Sequence, residues 1–377
     1  LVKEKGLPDA MKKLLSIALL AFIGLTFGQE NEPKFNVTGS VDAYFKANLS
    51  SGNDGANNVS GNSGDLSAFN NDSGFSAGLA NVNFTYQGEI VGFVADFAYG
   101  PRMDSQGGSI TIGEDDANEA GFVNEAYVYW NASDKVRLMM GRFNSWMGYE
   151  TMSAANNFHY SMSHMFTYSA RNFNGLVAQF DLGNDFRAGV GLMNPAEVSV
   201  GNDTGNYSIA AGFSYKETTG FSFLESEDAS YLDFKIGFDI SEDFNIKLNA
   251  HIADFGFDFD NPLANVGTTW TTAQVNAVTL GAEGFTSFSV YPQLKSSDNM
   301  SWGMRLEYMK FSAGTELAVD TSVFTPTFTA RYSVGDLTII PELRLDSASE
   351  DIFTDADGET TDGCLLYTSP SPRDPIG

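Results

Sequence analysis

Between Phe35 and Leu49 the chain alternates without a break. Phe35, Val37, Gly39, Val41, Ala43, Phe45, Ala47 and Leu49 share one parity; Asn36, Thr38, Ser40, Asp42, Tyr44, Lys46 and Asn48 share the other. Successive side chains of a strand point to opposite faces, so the segment spells a strand with one apolar and one wetted side. Strands of globular proteins run about 5–6 residues, whereas a tilted membrane-spanning strand needs roughly 9–11. The same two-beat rhythm recurs down the chain. It predicts an all-β protein, a transmembrane antiparallel up-and-down β-barrel.

Short polar turns separate the runs: Gln87-Gly88-Glu89, 132–135, Gly183-Asn184-Asp185, 216–220, Ser241-Glu242-Asp243, 295–299 and Val334-Gly335-Asp336. Several place a small or polar residue before Asp and are followed by a fresh alternating run, the mark of one hairpin motif used repeatedly. Long connections, at 50–74, 101–120, 144–172, 194–206, 255–284 and 312–320, alternate with these turns. Outer-membrane barrels put short turns on the periplasmic side and long loops outside. With that constraint, outward strands start near 35, 89, 136, 186, 221, 244, 300 and 337, and inward strands near 75, 121, 173, 207, 231, 285 and 321. A further closing strand makes about 16, with 14 or 18 as neighbouring solutions. A barrel of roughly sixteen to eighteen strands encloses an aqueous channel, whereas an eight-stranded one is filled by its own side chains.

Parity then assigns side chains to lipid or lumen. Leu232, Phe234, Ile236, Phe238 and Ile240 face out, as do Phe244, Ile246, Leu248, Ala250 and Ile252, and Leu337, Ile339, Pro341, Leu343 and Leu345. A charge on the lipid face at mid-membrane costs about 2–4 kcal/mol, which makes a one-residue slip prohibitive. The expected lumenal acids are Asp42, Asp96, Glu125, Asp181, Asp233, Asp239, Glu307, Glu342 and Asp346. The expected lumenal bases are Lys46, Arg137, Arg187, Lys235, Lys247, Arg305, Arg331 and Arg344, with His251 on the same side. The wall is thus nearly neutral, and the net charge of −27 belongs mainly to loops and turns such as Glu114, Asp115, Asp116 and Glu119. An acidic mouth of this kind concentrates cations or holds a loop-bound Ca²⁺ or Mg²⁺; solvated loops kept soluble by charge fit equally. The same charge excludes a nucleic-acid partner, because phosphate binding needs a basic surface.

The ends read differently. Met11-Lys12-Lys13 and the apolar run 14–25 have the form of a secretory leader. The run is shorter than the roughly 20 residues of a spanning helix. Residues 1–10 read as upstream read-through and 11–28 as the signal peptide, with Gln29 first in the mature chain. At the other end CLLYTSPSPRD, residues 364–374, has the look of a translated sequencing adapter, without alternation and rich in proline. On that reading the barrel occupies 29–363 and is incomplete, its last strand missing, and 364–377 is non-native. Cys364, the single cysteine, falls in this tail, which leaves no disulfide, thiolate metal site or lipid-anchor cysteine.

From Gly121 to Glu197 the chain resembles the OmpL-like β-barrel porin family of Bacteroidetes-type bacteria. The NEAY strand, the passage from GRF to GYE and the aromatic NFHYS…MF run carry the likeness, and SYLDFKIGFDIS and DLTIIPELRLDSASEDIFTD extend it. The resemblance implies an outer-membrane porin and names no solute. In many sixteen-stranded porins the loop at 144–172 folds into the lumen. Here it holds Trp146, Tyr149, Glu150, Phe158, His159, Tyr160, His164, Phe166, Tyr168 and Arg171, too aromatic for a purely solvated loop. One reading is a constriction, with Trp146, Tyr149, Glu150, Phe158, His159, Tyr160 and Arg171 touching solute. The other packs these rings onto the rim or an oligomer interface.

His159 and His164 stand five apart, a spacing that suits neither a helical zinc pair nor a strand pair. No GxSxG elbow, EF-hand loop or phosphate loop is present. The features converge on a porin of the Gram-negative outer membrane, passing small hydrophilic solutes or ions by passive diffusion through a water-filled barrel. It is expected to be no enzyme, to need no cofactor, to contact membrane lipid and, by analogy with other sixteen-stranded porins, to form a homotrimer. The rival readings are a barrel for surface adhesion or ligand capture through its loops, a soluble exported glycan binder, and an outer-membrane lipid hydrolase using His251.

Overall fold

A computed structural model describes residues 34–50, 73–104, 122–194, 205–226, 229–255, 282–314, 320–354 and 360–369. The expected leader, the acids Glu114, Asp115, Asp116 and Glu119, and the end of the tail lie outside these residues.

Sixteen antiparallel strands form one sheet. They are β1 (Lys34–Asn48), β2 (Gly74–Gln87), β3 (Val91–Tyr99), β4 (Val123–Ser133), β5 (Val136–Asn144), β6 (Asn172–Gly183), β7 (Phe186–Met193) and β8 (Ser208–Tyr215). Next come β9 (Thr219–Glu225), β10 (Ser230–Asp239), β11 (Phe244–Asp254), β12 (Ala282–Lys295), β13 (Met300–Ala313) and β14 (Thr321–Val334). The fifteenth, β15, runs in two pieces, Leu337–Ile339 and Glu342–Ala348, and β16 is Gly363–Ser369. Each strand pairs with its sequence neighbours, and β16 pairs with both β15 and β1, so the sheet closes. The two pieces of β15 keep one register against β14, with Tyr332 opposite Ile339 and Thr329 opposite Glu342. The break falls at Pro341, which has no N–H to give the ladder. The fifteen expected strand starts fall within three residues of those observed.

The closing strand corrects one expectation. Gly363–Ser369 occupies the place left for a missing strand, with Cys364 opposite Asp346 on one side and Leu366 opposite Asn48 on the other. Edges of β1 and β15 facing hydrocarbon would leave N–H and C=O groups unpaired, which no bilayer tolerates. Pairing uses the backbone alone, so any extended run without proline answers that demand; β16 ends just before Pro370.

The turns explain themselves. Asn184 and Asp185 both have positive φ, 53° and 66°, between the paired Gly183 and Phe186. That is the two-residue turn whose twist matches a hairpin, and Asn and Asp adopt it most readily after glycine. Parity along the strands is as expected. Ile236, Phe238 and Ile252 are exposed on the outer surface, while Asp233, Asn249 and His251 between them are fully buried within. Aromatic pairs such as Phe186–Phe213 and Trp302–Phe328 stack on the outside near the short turns, with centroids 5.6 and 5.8 Å apart. Such rings form the girdle of a membrane barrel.

Candidate functional site: a loop across the barrel interior

The connection between β5 and β6 turns inward. Its neck is closed by the Ser145 N–H, which donates to the Arg171 carbonyl at 2.8 Å. From there the loop crosses to the far wall, where charged side chains bind its backbone. The Gly148 N–H donates to Asp233 at 3.1 Å, and Lys235 donates to the carbonyls of Trp146 and Gly148 at 2.8 and 2.9 Å. Arg331 donates to the carbonyls of Asn157 and Phe158. Glu342 accepts from the N–H groups of Tyr160 and Ser161 at 2.8 and 3.1 Å. Arg305 donates to the carbonyls of Ser161 and Met162, and Arg344 to that of Met162.

The loop ends in a short helix, α1 (His164–Tyr168), capped by the Ser163 hydroxyl. Glu307 accepts from the N–H groups of His164 and Met165 at 2.9 and 2.8 Å, so a carboxylate meets the unpaired donors of a helix start. Glu150 bridges the loop to the wall: one oxygen accepts from Arg305 at 2.8 Å, the other from Ser163. Hydrogen bonds to charged partners are worth about 1.5–3 kcal/mol each, so seven wall charges (Asp233, Lys235, Arg305, Glu307, Arg331, Glu342, Arg344) hold the loop as one seated body.

Ring packing finishes the seat. Trp146 lies on a strip of the wall that has no side chains: a Cβ at Gly212 would come within 3.0 Å of its ring. Phe158 covers Gly303 in the same way, its ring 2.4 Å from where a Cβ would stand. The Tyr160 hydroxyl donates to Asp42 at 3.1 Å, and its carbonyl accepts from Arg102. The His159 Nδ1 is 2.7 Å from the Thr329 hydroxyl, which itself donates to Glu342. Nδ1 therefore carries the proton. Burial, and after it the charges of Arg305, Arg331 and Lys247, push His159 well below the usual histidine range, and the ring is neutral.

The loop brings many of the expected lumenal residues together. Asp42, Lys46, Asp96, Asp233, His251, Arg305, Glu307, Glu342 and Arg344 are buried rather than open to water. Glu125 accepts from the Asn144 N–H at 3.0 Å, at the loop's root. Arg137, over the Tyr129 ring at 4.3 Å, and Arg187, paired with Glu217, remain at the turn end. Arg171 is buried at the neck. His159 and His164 face different carboxylates, Glu342 at 4.0 Å and Asp346 at 3.2 Å. His251 lies 3.1 Å from Asp233 and stacks on Phe285 inside the barrel, away from the outer surface a lipid hydrolase would use. Among the described residues no group of three or more His, Cys, Asp or Glu is arranged to hold a metal.

Sequence reasoning missed Arg102, Tyr291, Gln293 and the buried hydroxyls of Thr325, Thr327 and Thr329. The threonines had a signal, since they share the parity of Arg331. Arg102 had none, because it sits in an aperiodic connection.

Among the described residues, two of the spaces that remain bear on the loop. One of about 780 Å³ opens at the turn end, bounded by Arg137, Arg187, Trp146 and Lys235. The other, about 260 Å³, lies against the loop between Tyr149, Phe158, Lys247 and Arg331. A closed sixteen-stranded barrel with a loop folded across its bore defines the class of outer-membrane channels. The chain belongs to the family described as "Putative beta-barrel porin-2, OmpL-like", which matches residues 34–369. It is an outer-membrane porin channel of a Gram-negative cell. Its fold is similar to that of OmpF from Salmonella typhi, in a complex with daunomycin, at 9% identity and a TM-score of 0.59, covering 91% of this chain and 98% of that one. It is similar to an anion-selective porin from Comamonas acidovorans at 10% identity and 0.55, covering 92% and 100%. It is similar also to the outer-membrane channel DcaP of Acinetobacter baumannii at 12% identity and 0.54, covering 92% and 99%. Among curated proteins none matches the chain.

Proposed function

We propose that residues 145–171 form the constriction of this porin and that small hydrophilic solutes or ions pass it by diffusion alone. The observation that carries this reading is the anchoring of the loop backbone by wall charges on β10, β13, β14 and β15. A loop held that tightly at the centre of the bore sets the size of what can pass, and the charges left facing water set its sign. Asp233, Glu307, Glu342, Arg305 and Arg344 serve as anchors in this scheme. Arg137, Arg187, Lys235, Lys247 and Arg331 meet solute, with Tyr149 and Phe158 from the loop. No step makes or breaks a covalent bond, so neither catalysis nor a cofactor is needed. Export would use the leader assigned to 11–28, and a homotrimer in outer-membrane lipid is the assembly we expect.

Planar-bilayer recording tests it. The full chain should give single-channel steps, and deletion of Ser153–Ser163 should raise the conductance. Unchanged current after the deletion would remove the loop from the pathway.

A further inference from the structure

The larger space, about 780 Å³ at the turn end of the barrel, lies within the roughly 300–1,000 Å³ of sites that enclose a small organic ligand. Lys135, Arg137, Arg187 and Lys235 bring four positive charges to its lining. Glu89, Asp134, Asp181 and Glu217 bring four negative ones. The two signs are interleaved. Arg187 stands opposite Asp181 in the ladder and pairs with Glu217 from the next turn. Asp134 and Lys135 are neighbours in the turn between β4 and β5. A balanced lining of this kind exerts no long-range pull on a charged solute, while its donors and acceptors serve a neutral one.

One row of the sheet sets the floor. Arg137, Gln179, Gly189, Gly212 and Ser222 stand side by side across five neighbouring strands. The two glycines leave a flat place in that row, and the Trp146 indole rests on it: a Cβ at Gly189 would come within 3.3 Å of the ring. The Trp146 carbonyl accepts from Lys235 at 2.8 Å and from Ser222 at 3.2 Å, so the wall fixes the residue. The indole itself is half-buried and borders the space. Next to its seat, Gln179 brings a half-buried amide. Beyond Gln179, Arg137 is oriented by Asn131, to which its Nε donates at 2.9 Å, and by the Tyr129 ring under it. A flat aromatic surface is thus flanked by planar polar groups. A pyranose fits that combination: its C–H faces stack on an aromatic ring, and the hydroxyls around its rim both donate and accept.

We propose that the larger space is a binding subsite for a neutral pyranose sugar, one face of the ring stacked on Trp146 and the hydroxyls held by Asn131, Arg137 and Gln179. The proposal rests on the channel reading only in placing the subsite on the solute's path. Methyl β-glucoside is the probe. Methyl β-glucuronide is its control with the same ring and a negative charge, and sorbitol its control with hydroxyls and no ring face.

Saturation-transfer NMR on the detergent-solubilised full chain reads binding without any current. It should detect the glucoside, most strongly at its ring C–H protons, at concentrations where glucuronide and sorbitol give nothing. Gln179→Ala should raise the glucoside Kd about fivefold, the loss of one uncharged hydrogen bond. Trp146→Phe should keep weakened binding, and Trp146→Ala should lose it. Gln179 lies on the wall and not in the loop, so its variant tests the subsite with the loop's anchors intact. Transfer to sorbitol or glucuronide equal to that of the glucoside, or unaltered binding in Gln179→Ala or Trp146→Ala, overturns the subsite. Planar-bilayer recording on the same preparation reads conduction separately. Glucoside binding in a protein that conducts nothing sustains the subsite and overturns the channel reading. Conduction with no glucoside binding does the reverse.

Discussion

Glu307 shows how much one side chain does here. It takes up two N–H groups at the start of α1, fully buried within the barrel. A buried donor left unpaired costs about 1–3 kcal/mol. Glu307→Ala should therefore loosen the end of the loop without opening the barrel, seen as higher conductance with added open-channel noise. His159 supplies a pH dependence of definite sign. Seated, it is neutral, its affinity for a proton lowered first by burial and then by Arg305, Arg331 and Lys247. Unseated, it titrates near the ordinary 6.5. Below that pH the unseated loop binds a proton that the seated loop refuses, so seating is favoured above it and weakens as the pH falls. Channel conductance should rise in acid, and His159→Gln should flatten that part of the profile. A profile identical in the variant would mean that other groups carry the effect.

At the scale of elements, the strands were legible and the loop's path was not. Alternation in β10 and β11 marks Asp233, Lys235, Lys247 and His251 as inward. The same alternation says nothing of whether they meet water or another part of the chain. Here Asp233 meets Gly148, 85 positions away, and Glu342 meets Tyr160, 182 away. The aromatic content of 144–172 indicated a packed loop but not its seat. Trp146 is the element's wedge, resting on Gly189 and Gly212 at the edge of the larger space. Removing a well-packed Trp costs about 3–5 kcal/mol in a core, and less at this half-buried position. Trp146→Ala should widen the larger space and increase conductance with little change in barrel stability. Unchanged conductance would place Trp146 outside the pathway. The closing strand was misjudged for a related reason: residues 364–369 lack alternation, but a ladder between two waiting edges asks only for extended backbone.

For the whole molecule, the decisive contrast is between outside and inside. Ile236 is 43% exposed on the outer surface, and an arginine there would sit in hydrocarbon at about 2–4 kcal/mol. Ile236→Arg should lower the urea midpoint for folding into lipid vesicles, whereas Asp239→Asn, one face over, should not. Equal effects would mean that the outer surface does not face lipid. Fold class and the positions and register of the first fifteen strands follow from the sequence alone, because each of them records locally, at every second residue, which of two solvents it faces. Where the loop lies, which wall charges it consumes and which stay free to meet solute are settled only in three dimensions. Those contacts join residues far apart along the chain, and no local rhythm encodes them.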